Sequence, residues 1–167
     1  MTRFSLLVLC LIIACSFTGC NKKKGDKDAV STVPILTERR AAFDIGSGTI
    51  KLRVSDVIIT KESLETALEV TGGYERIRVD FEADLHDSRD GRFSQEIMDK
   101  GLATLHKLKK RAIDAGAKNF AGVATRAFRT AKNGEAYLRK LEDETGIKLH
   151  IASAAEEARM GFLAAVV

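Results

Sequence analysis

Residues 40–54 read RAAFDIGSGTIKLRV, two short apolar runs around a glycine-containing turn. Arg40 to Ile45 has the character of a strand, and Gly46-Ser47-Gly48-Thr49 carries turn chemistry. Ile50 to Ile59 resumes with Ile50, Leu52 and Val54 in alternation and then Val57-Ile58-Ile59, so the pair predicts a β-hairpin. Leu64 to Thr71 predicts a third strand closed by Gly72-Gly73, with a short extended piece from Arg76 to Phe81 and a polar loop from Asp87 to Phe93. Ser94 is placed to cap a long helix to about Ala115, with Ile97, Gly101, Leu105, Leu108 and Ala112 on one stripe and Gly116 at its end.

Asn119 to Thr125 reads as a buried fourth strand. A broken helical stretch leads to Asn133, the expected cap of a helix that carries Tyr137, Leu138 and Leu141 and stops at Gly146. Ile147 to Ile151 alternates as a fifth strand, and Ala154 to Val167 reads as a helix. Strands in hairpins followed by strand, helix, strand and helix predict an α/β layered domain with a mixed sheet. No internal repeat is present.

Upstream of the hairpin the sequence has the parts of an export signal in order. One positive charge, Arg3, precedes an apolar run from Phe4 to Phe17, which at roughly 14 residues is too short to span a bilayer. Phe17-Thr18-Gly19-Cys20 looks like a bacterial lipobox, with Phe17 where Leu or Val is usual. The expected division is a signal over residues 1–19, a polar tether over 20–38 and the folded domain over 39–167. Cys20 would carry the lipid that holds the protein at a membrane of the cell envelope. An uncleaved anchor and an ordinary secretory signal are the alternatives.

All three cysteines, Cys10, Cys15 and Cys20, lie in this region, so the folded part offers no sulfur for a disulfide or a metal. The net charge of +4 includes Arg3 and the lysines of the tether, which leaves the domain close to neutral and argues against a nucleic-acid partner.

Three short clusters carry chemistry. In Asp44 to Thr49, a tight glycine turn lets backbone N–H groups surround an anion. Ser47 and Thr49 add hydroxyls, and Asp44 can orient water or hold a divalent cation through it. The same pattern also makes good hairpin turns. In Val123 to Gly134, Thr125, Arg126 and Arg129 follow a buried strand, where ligands of α/β sheets are met, and guanidinium groups suit phosphate oxygens. Arginines on a solvated helix start would read the same way. In Ser153-Ala154-Ala155-Glu156-Glu157-Ala158-Arg159, a carboxylate facing a cleft could take a proton from water, while the helix dipole alone favours acids there.

Taken together, in this order and spacing, these clusters resemble the successive N-terminal motifs of the Ppx/GppA family, over nearly all of Arg40 to Val167. The resemblance implies the N-terminal lobe of the actin-like ATPase (ribonuclease H-like) fold. It also implies hydrolysis of terminal phosphoanhydride bonds of inorganic polyphosphate or guanosine pentaphosphate, with Mg²⁺ as cofactor. By position, Glu157 matches the catalytic base and Arg129 the phosphate-contacting arginine. Asp44, Gly46, Ser47, Gly48 and Thr49 match the first phosphate loop, with Thr125 and Arg126 beside it.

Gly48 stands where Asn is common in the family, and Ala154-Ala155 replaces the usual lead-in. The sequence given stops before the family's second phosphate loop and second lobe. The other wall of a cleft would then come from a missing lobe or a second copy, and the chain by itself is expected to turn over little. A non-catalytic, membrane-tethered anion-binding module of the same fold is the alternative, and a half-domain of a related sugar or carboxylate kinase is a third. An envelope location favours polyphosphate over the cytoplasmic nucleotide.

Replacing Cys20 by Ala is expected to move the protein from the membrane fraction to the soluble fraction. Unchanged fractionation would count against lipidation.

Overall fold

The computed structural model describes residues 36–59 and 64–166; the expected signal, Cys20 and almost all of the tether lie outside them. The elements are β1 (Leu36–Ile45), β2 (Thr49–Ile59), β3 (Leu64–Arg78), α1 (Phe81–Asp87), α2 (Gln95–Asp114), β4 (Asn119–Ala124), α3 (Arg126–Thr130), α4 (Gly134–Thr145), β5 (Lys148–Ile151) and α5 (Ala154–Val166). They form a five-stranded mixed sheet of order β3-β2-β1-β4-β5. β1 and β2 pair antiparallel, as do β2 and β3, while β4 runs parallel to β1 and β5 parallel to β4. The α/β architecture with a mixed sheet is the one the sequence predicts.

Alternation along the hairpin separates the two faces. Ala41, Phe43, Ile45, Ile50, Leu52 and Val54 are buried in one core with Leu105, Leu108 and Ala112 of α2 and Leu138 and Leu141 of α4. On the opposite face, Val123 packs with Ala152 and with Met160 of α5. The sheet is therefore covered by α2 and α4 on one side and by α5 on the other.

The core under the loop end is aromatic. Phe128 lies 5.1 Å from both Phe81 and Phe93, centroid to centroid, and stacks on Tyr137 at 5.6 Å. Contacts of this kind contribute about 0.5–1.5 kcal/mol each beyond burial. The Tyr137 hydroxyl donates to the Met98 carbonyl oxygen at 2.7 Å, and burial pushes its pKa up. The phenol thus stays neutral and its donor satisfied.

Several boundaries differ from the sequence reading. β3 is one strand through Gly72-Gly73, not two pieces. From Tyr74 to Glu69 it takes five steps where β2 takes two, from Arg53 to Ser55, so the glycine pair sits in a bulge that keeps the pairing alive. Phe81 to Asp87 is a helix, between the extended piece expected to end at Phe81 and the loop expected to start at Asp87. Asp80, just before it, adopts a left-handed conformation at φ 71°, which Asp tolerates better than most residues.

Asn133 does not cap α4 with its side chain. Its Oδ1 accepts from the Phe93 N–H at 2.9 Å and its Nδ2 donates to the Phe93 carbonyl at 3.0 Å, strapping the chain before α2 to the start of α4. Ser94 does cap α2, accepting from the Ile97 N–H. Gly116 and Gly146 follow α2 and α4 with φ 87° and 62°, left-handed terminators as the sequence predicts.

A Cβ at Gly134 would meet the Phe128 carbonyl oxygen at 2.0 Å. Gly134→Ala is therefore expected to destabilise the domain by about 1–3 kcal/mol or more, read as a lowered midpoint in thermal or urea denaturation. A midpoint equal to wild type would show that α3 and α4 can part at no cost.

Candidate functional site

Three parallel strands end level with one another. Ile45 of β1 is in register with Ala124 of β4, and Ala124 with Ile151 of β5. Two further rungs carry the alignment past the strands: the Thr125 N–H donates to the Ile45 carbonyl at 3.2 Å, and the Ala152 N–H to the Ala124 carbonyl at 2.9 Å. The turn after β1, the start of α3 after β4 and the start of α5 after β5 are thereby set side by side at the carboxyl end of the sheet. This is where ligands of α/β sheets bind, and it brings all three sequence clusters together.

The 46–49 turn is held from one side. The Ser47 carbonyl accepts from the Glu82 N–H at 3.0 Å, and the Gly48 carbonyl from the Val79 and Asp80 N–H groups at 3.0 and 3.1 Å. The peptides are trans, so the Gly48 and Thr49 N–H groups, which share those peptides, point the opposite way. That leaves amide dipoles directed away from the β3–α1 junction, the arrangement an anion requires. A Cβ at Gly46 would stand 3.2 Å from the Thr49 carbonyl oxygen, whereas one at Gly48 would meet nothing closer than Asp80 Oδ1 at 3.9 Å. The backbone thus favours glycine at Gly46 and leaves room for a side chain at Gly48.

Asp44 leaves β1 beside the turn with its side chain 13 % exposed, and its Oδ2 accepts from Lys51 Nζ at 2.7 Å. Lys51 faces Asp44 across the hairpin ladder. Among the described residues no group of three or more His, Cys, Asp or Glu side chains could hold a metal.

Arg129 and Glu157 meet. Arg129 Nη1 donates to the Ala152 carbonyl and Nη2 to Glu157 Oε2 at 2.9 Å, with the two side chains 26 % and 33 % exposed. The guanidinium fork thus ties the end of β5 to α3 and fixes the carboxylate in one orientation. Glu156 does different work. Its Oε2 accepts from the Ser153 N–H at 2.7 Å while its own N–H donates to Ser153 Oγ at 3.2 Å, a capping box at the start of α5. The Ser153 backbone N–H, then the Ser153 hydroxyl and His150, bring the Glu156 carboxyl down to about 2.

Thr125 takes its place through the backbone, accepting from the Phe128 and Arg129 N–H groups. Arg126 is 71 % exposed and reaches Glu82 of α1 at 3.4 Å, on the rim and apart from the Arg129–Glu157 pair. Sequence reasoning missed the partners: Lys51 on Asp44, Glu82 on Arg126, and the Arg78 Nε bond to Asp80 at 2.7 Å. Only the last two, two residues apart, lay within reach of a local signal.

The fold is that of a lobe of the actin-like ATPase class. A model of the Ppx/GppA phosphatase family matches residues 74–167, and the chain belongs to that family. It is 31% identical over 126 residues to exopolyphosphatase 1 of Mycobacterium tuberculosis, covering 75% of this chain and 34% of that protein. A solved Ppx/GppA family member from Aquifex aeolicus superposes with a TM-score of 0.60 at 24% identity, over 77% of this chain and 39% of the other. An exopolyphosphatase structure from Cytophaga hutchinsonii gives 0.58 at 22% identity, over 73% and 36%. The chain thus spans about a third of the length of the exopolyphosphatases it matches.

Because the Glu156 pKa is depressed on folding, its contribution is fully present above the unfolded value near 4.5 and is lost as pH falls towards 2. Glu156→Ala is expected to lower the melting temperature near neutral pH, and the gap from wild type should close between pH 4.5 and 2. A gap that persists at the acid end would rule out the capping carboxylate as its source.

Proposed function

We propose that this chain forms one wall of an exopolyphosphatase-type hydrolase, with the terminal phosphoryl group of inorganic polyphosphate held at the 46–49 turn. The observation that carries the reading is the meeting of Arg129 with Glu157 beside an amide-lined turn at the level carboxyl ends of β1, β4 and β5. Family membership and the exopolyphosphatase relatives support the substrate class.

In this reading the Gly48 and Thr49 amides and the Ser47 and Thr49 hydroxyls hold non-bridging oxygens, and Arg129 turns one N–H donor to the phosphoryl group. Glu157 orients a water and takes its proton. The water oxygen forms a bond to the terminal phosphorus, the bond to the bridging oxygen breaks with its electron pair, and orthophosphate and a chain one unit shorter leave. Positioning and charge neutralisation carry most of the rate in such transfers.

Mg²⁺ is held by one or two carboxylates together with phosphate oxygens and water, and Asp44, whose Oδ2 accepts from Lys51, would hold it beside the turn through its other carboxylate oxygen or through water. When bound it would neutralise charge on the phosphate oxygens. A second lobe or a second copy of the chain would close the opposite wall. Lipidation at Cys20 would place this wall at the envelope surface, where polyphosphate rather than a cytoplasmic nucleotide is met.

Tripolyphosphate binding by calorimetry and phosphate release from polyphosphate test the reading together. Arg129→Ala is expected to weaken binding by about 10- to 100-fold, the value of one or two hydrogen bonds to a charged group. Glu157→Gln is expected to leave binding intact and to lower any phosphate release by about 100-fold or more. Release that Glu157→Gln does not change would remove Glu157 from the chemistry, and binding without release would favour the anion-binding module. A chain that binds no phosphate oligomer would overturn the proposal.

A further inference from the structure

The peptide that braces the 46–49 turn is itself gripped from behind. The Val79 and Asp80 N–H groups both donate to the Gly48 carbonyl, at 3.0 and 3.1 Å. On the far side of the Val79–Asp80 peptide, the Val79 carbonyl accepts from Lys100 Nζ of α2 at 3.1 Å. That peptide is trans, so its C=O and N–H point in opposite directions. Lys100 and Gly48 therefore sit at its two ends.

The neighbour of Lys100 in the sequence makes this approach possible. A Cβ at Gly101 would stand 2.8 Å from Phe81 Cζ and closer still to the Tyr137 hydroxyl, so a side chain there would push α2 away from the first residue of α1. Val79 and Phe81 are fully buried, and a carbonyl in such a junction requires a donor. Lys100, an exposed residue, supplies it.

Two peptide units then lie in series between a cation and the place proposed for an anion. From Lys100 Nζ the bonds run to the Val79 carbonyl, across the peptide to the Asp80 N–H, on to the Gly48 carbonyl, and across that peptide to the Thr49 N–H. Both dipoles turn their positive ends towards the anion. A positive charge at the carbonyl end draws electron density back along the row and makes each N–H a stronger donor, as in other chains of hydrogen bonds. The Asp80 carboxylate, 3.9 Å from a Cβ at Gly48, acts in the opposite sense, but Arg78 Nε bonds both its oxygens at 2.8 and 2.7 Å and offsets its charge.

We infer that Lys100 is a positioning residue for phosphate at the 46–49 turn: it fixes the Val79–Asp80 peptide and, through it, orients and polarises the Thr49 amide. This rests on the function proposed above and adds a residue that acts on the substrate through the backbone, from a different element, without touching it.

Tripolyphosphate affinity is to be measured by calorimetry on the full chain and on Lys100→Met, Lys100→Arg and Lys107→Met, the last removing an exposed charge two turns further along α2. Amide NMR spectra of the same proteins without ligand give the Asp80 and Thr49 N–H shifts, and their dispersion verifies that each variant keeps the fold. Lys100→Met is expected to weaken binding about two- to fivefold, the effect of one charge at the end of a row of aligned peptide dipoles, and to move both amide protons upfield. Lys100→Arg should restore both readouts, and Lys107→Met should change neither. A lowered thermal midpoint in Lys100→Met with affinity and Thr49 shift unchanged would reduce the lysine to a structural donor and overturn the inference while leaving the turn in place. An equal loss of affinity in Lys107→Met would do the same, by tracing the effect to net charge. A wild-type chain that does not bind tripolyphosphate overturns the reading of the turn, and the role of Lys100 with it.

Discussion

Everything at the functional end depends on the common level at which β1, β4 and β5 stop. Backbone pairing from Ile45 through Ala124 to Ile151, extended by the Thr125 and Ala152 amides, is what turns three separate loops into one surface. A parallel ladder has evenly spaced, slanted bonds and little local specificity of its own. The register is set by the side chains, with Phe43, Ile45 and Ala124 buried on the α2 and α4 side and Val123 on the α5 side. A slip by one residue would reverse both sets and carry Thr125 away from the turn.

The site shows a division between groups that hold the backbone and groups that are left facing outward. Neighbouring carboxylates illustrate it: Glu156 is consumed by Ser153 in closing α5, while Glu157 projects to Arg129. In the turn, the carbonyls of Ser47 and Gly48 are consumed by α1 and the residues before it. Among the described residues Asp80 is the one non-glycine in the left-handed region, where its N–H supports the Gly48 carbonyl and its carboxylate holds Arg78.

The hairpin, the α2 stripe and the glycine stops were legible because each is written in local periodicity or in a residue with a special backbone preference. The capping box of Ser153 and Glu156 was equally local, although Glu156 and Glu157 could not be told apart until α5 was seen against Arg129. What was not legible depends on distant partners. Asn133 looks like a cap, but its amide matches the Phe93 backbone, 40 residues away. The Gly72-Gly73 pair looks like a stop, but β2 supplies a partner that carries β3 past it. Phe81 to Asp87 has too few apolar positions to show a period, and its helix follows from burying Phe81 among Phe93, Phe128 and Tyr137.

The Thr125 to Ile45 bond closes a loop of 80 residues, counted as 125 minus 45, and Arg129 to Glu157 adds a further span of 28. The hairpin turn can form early from neighbours in the chain, but its companions arrive only after β4 and β5 have been made and docked. High contact order of this kind slows folding, so the surface is assembled late, and a nascent chain that has emerged only as far as α2 carries the turn without the rest. Until β4 arrives, the inner edge of β1 has no parallel neighbour to pair with.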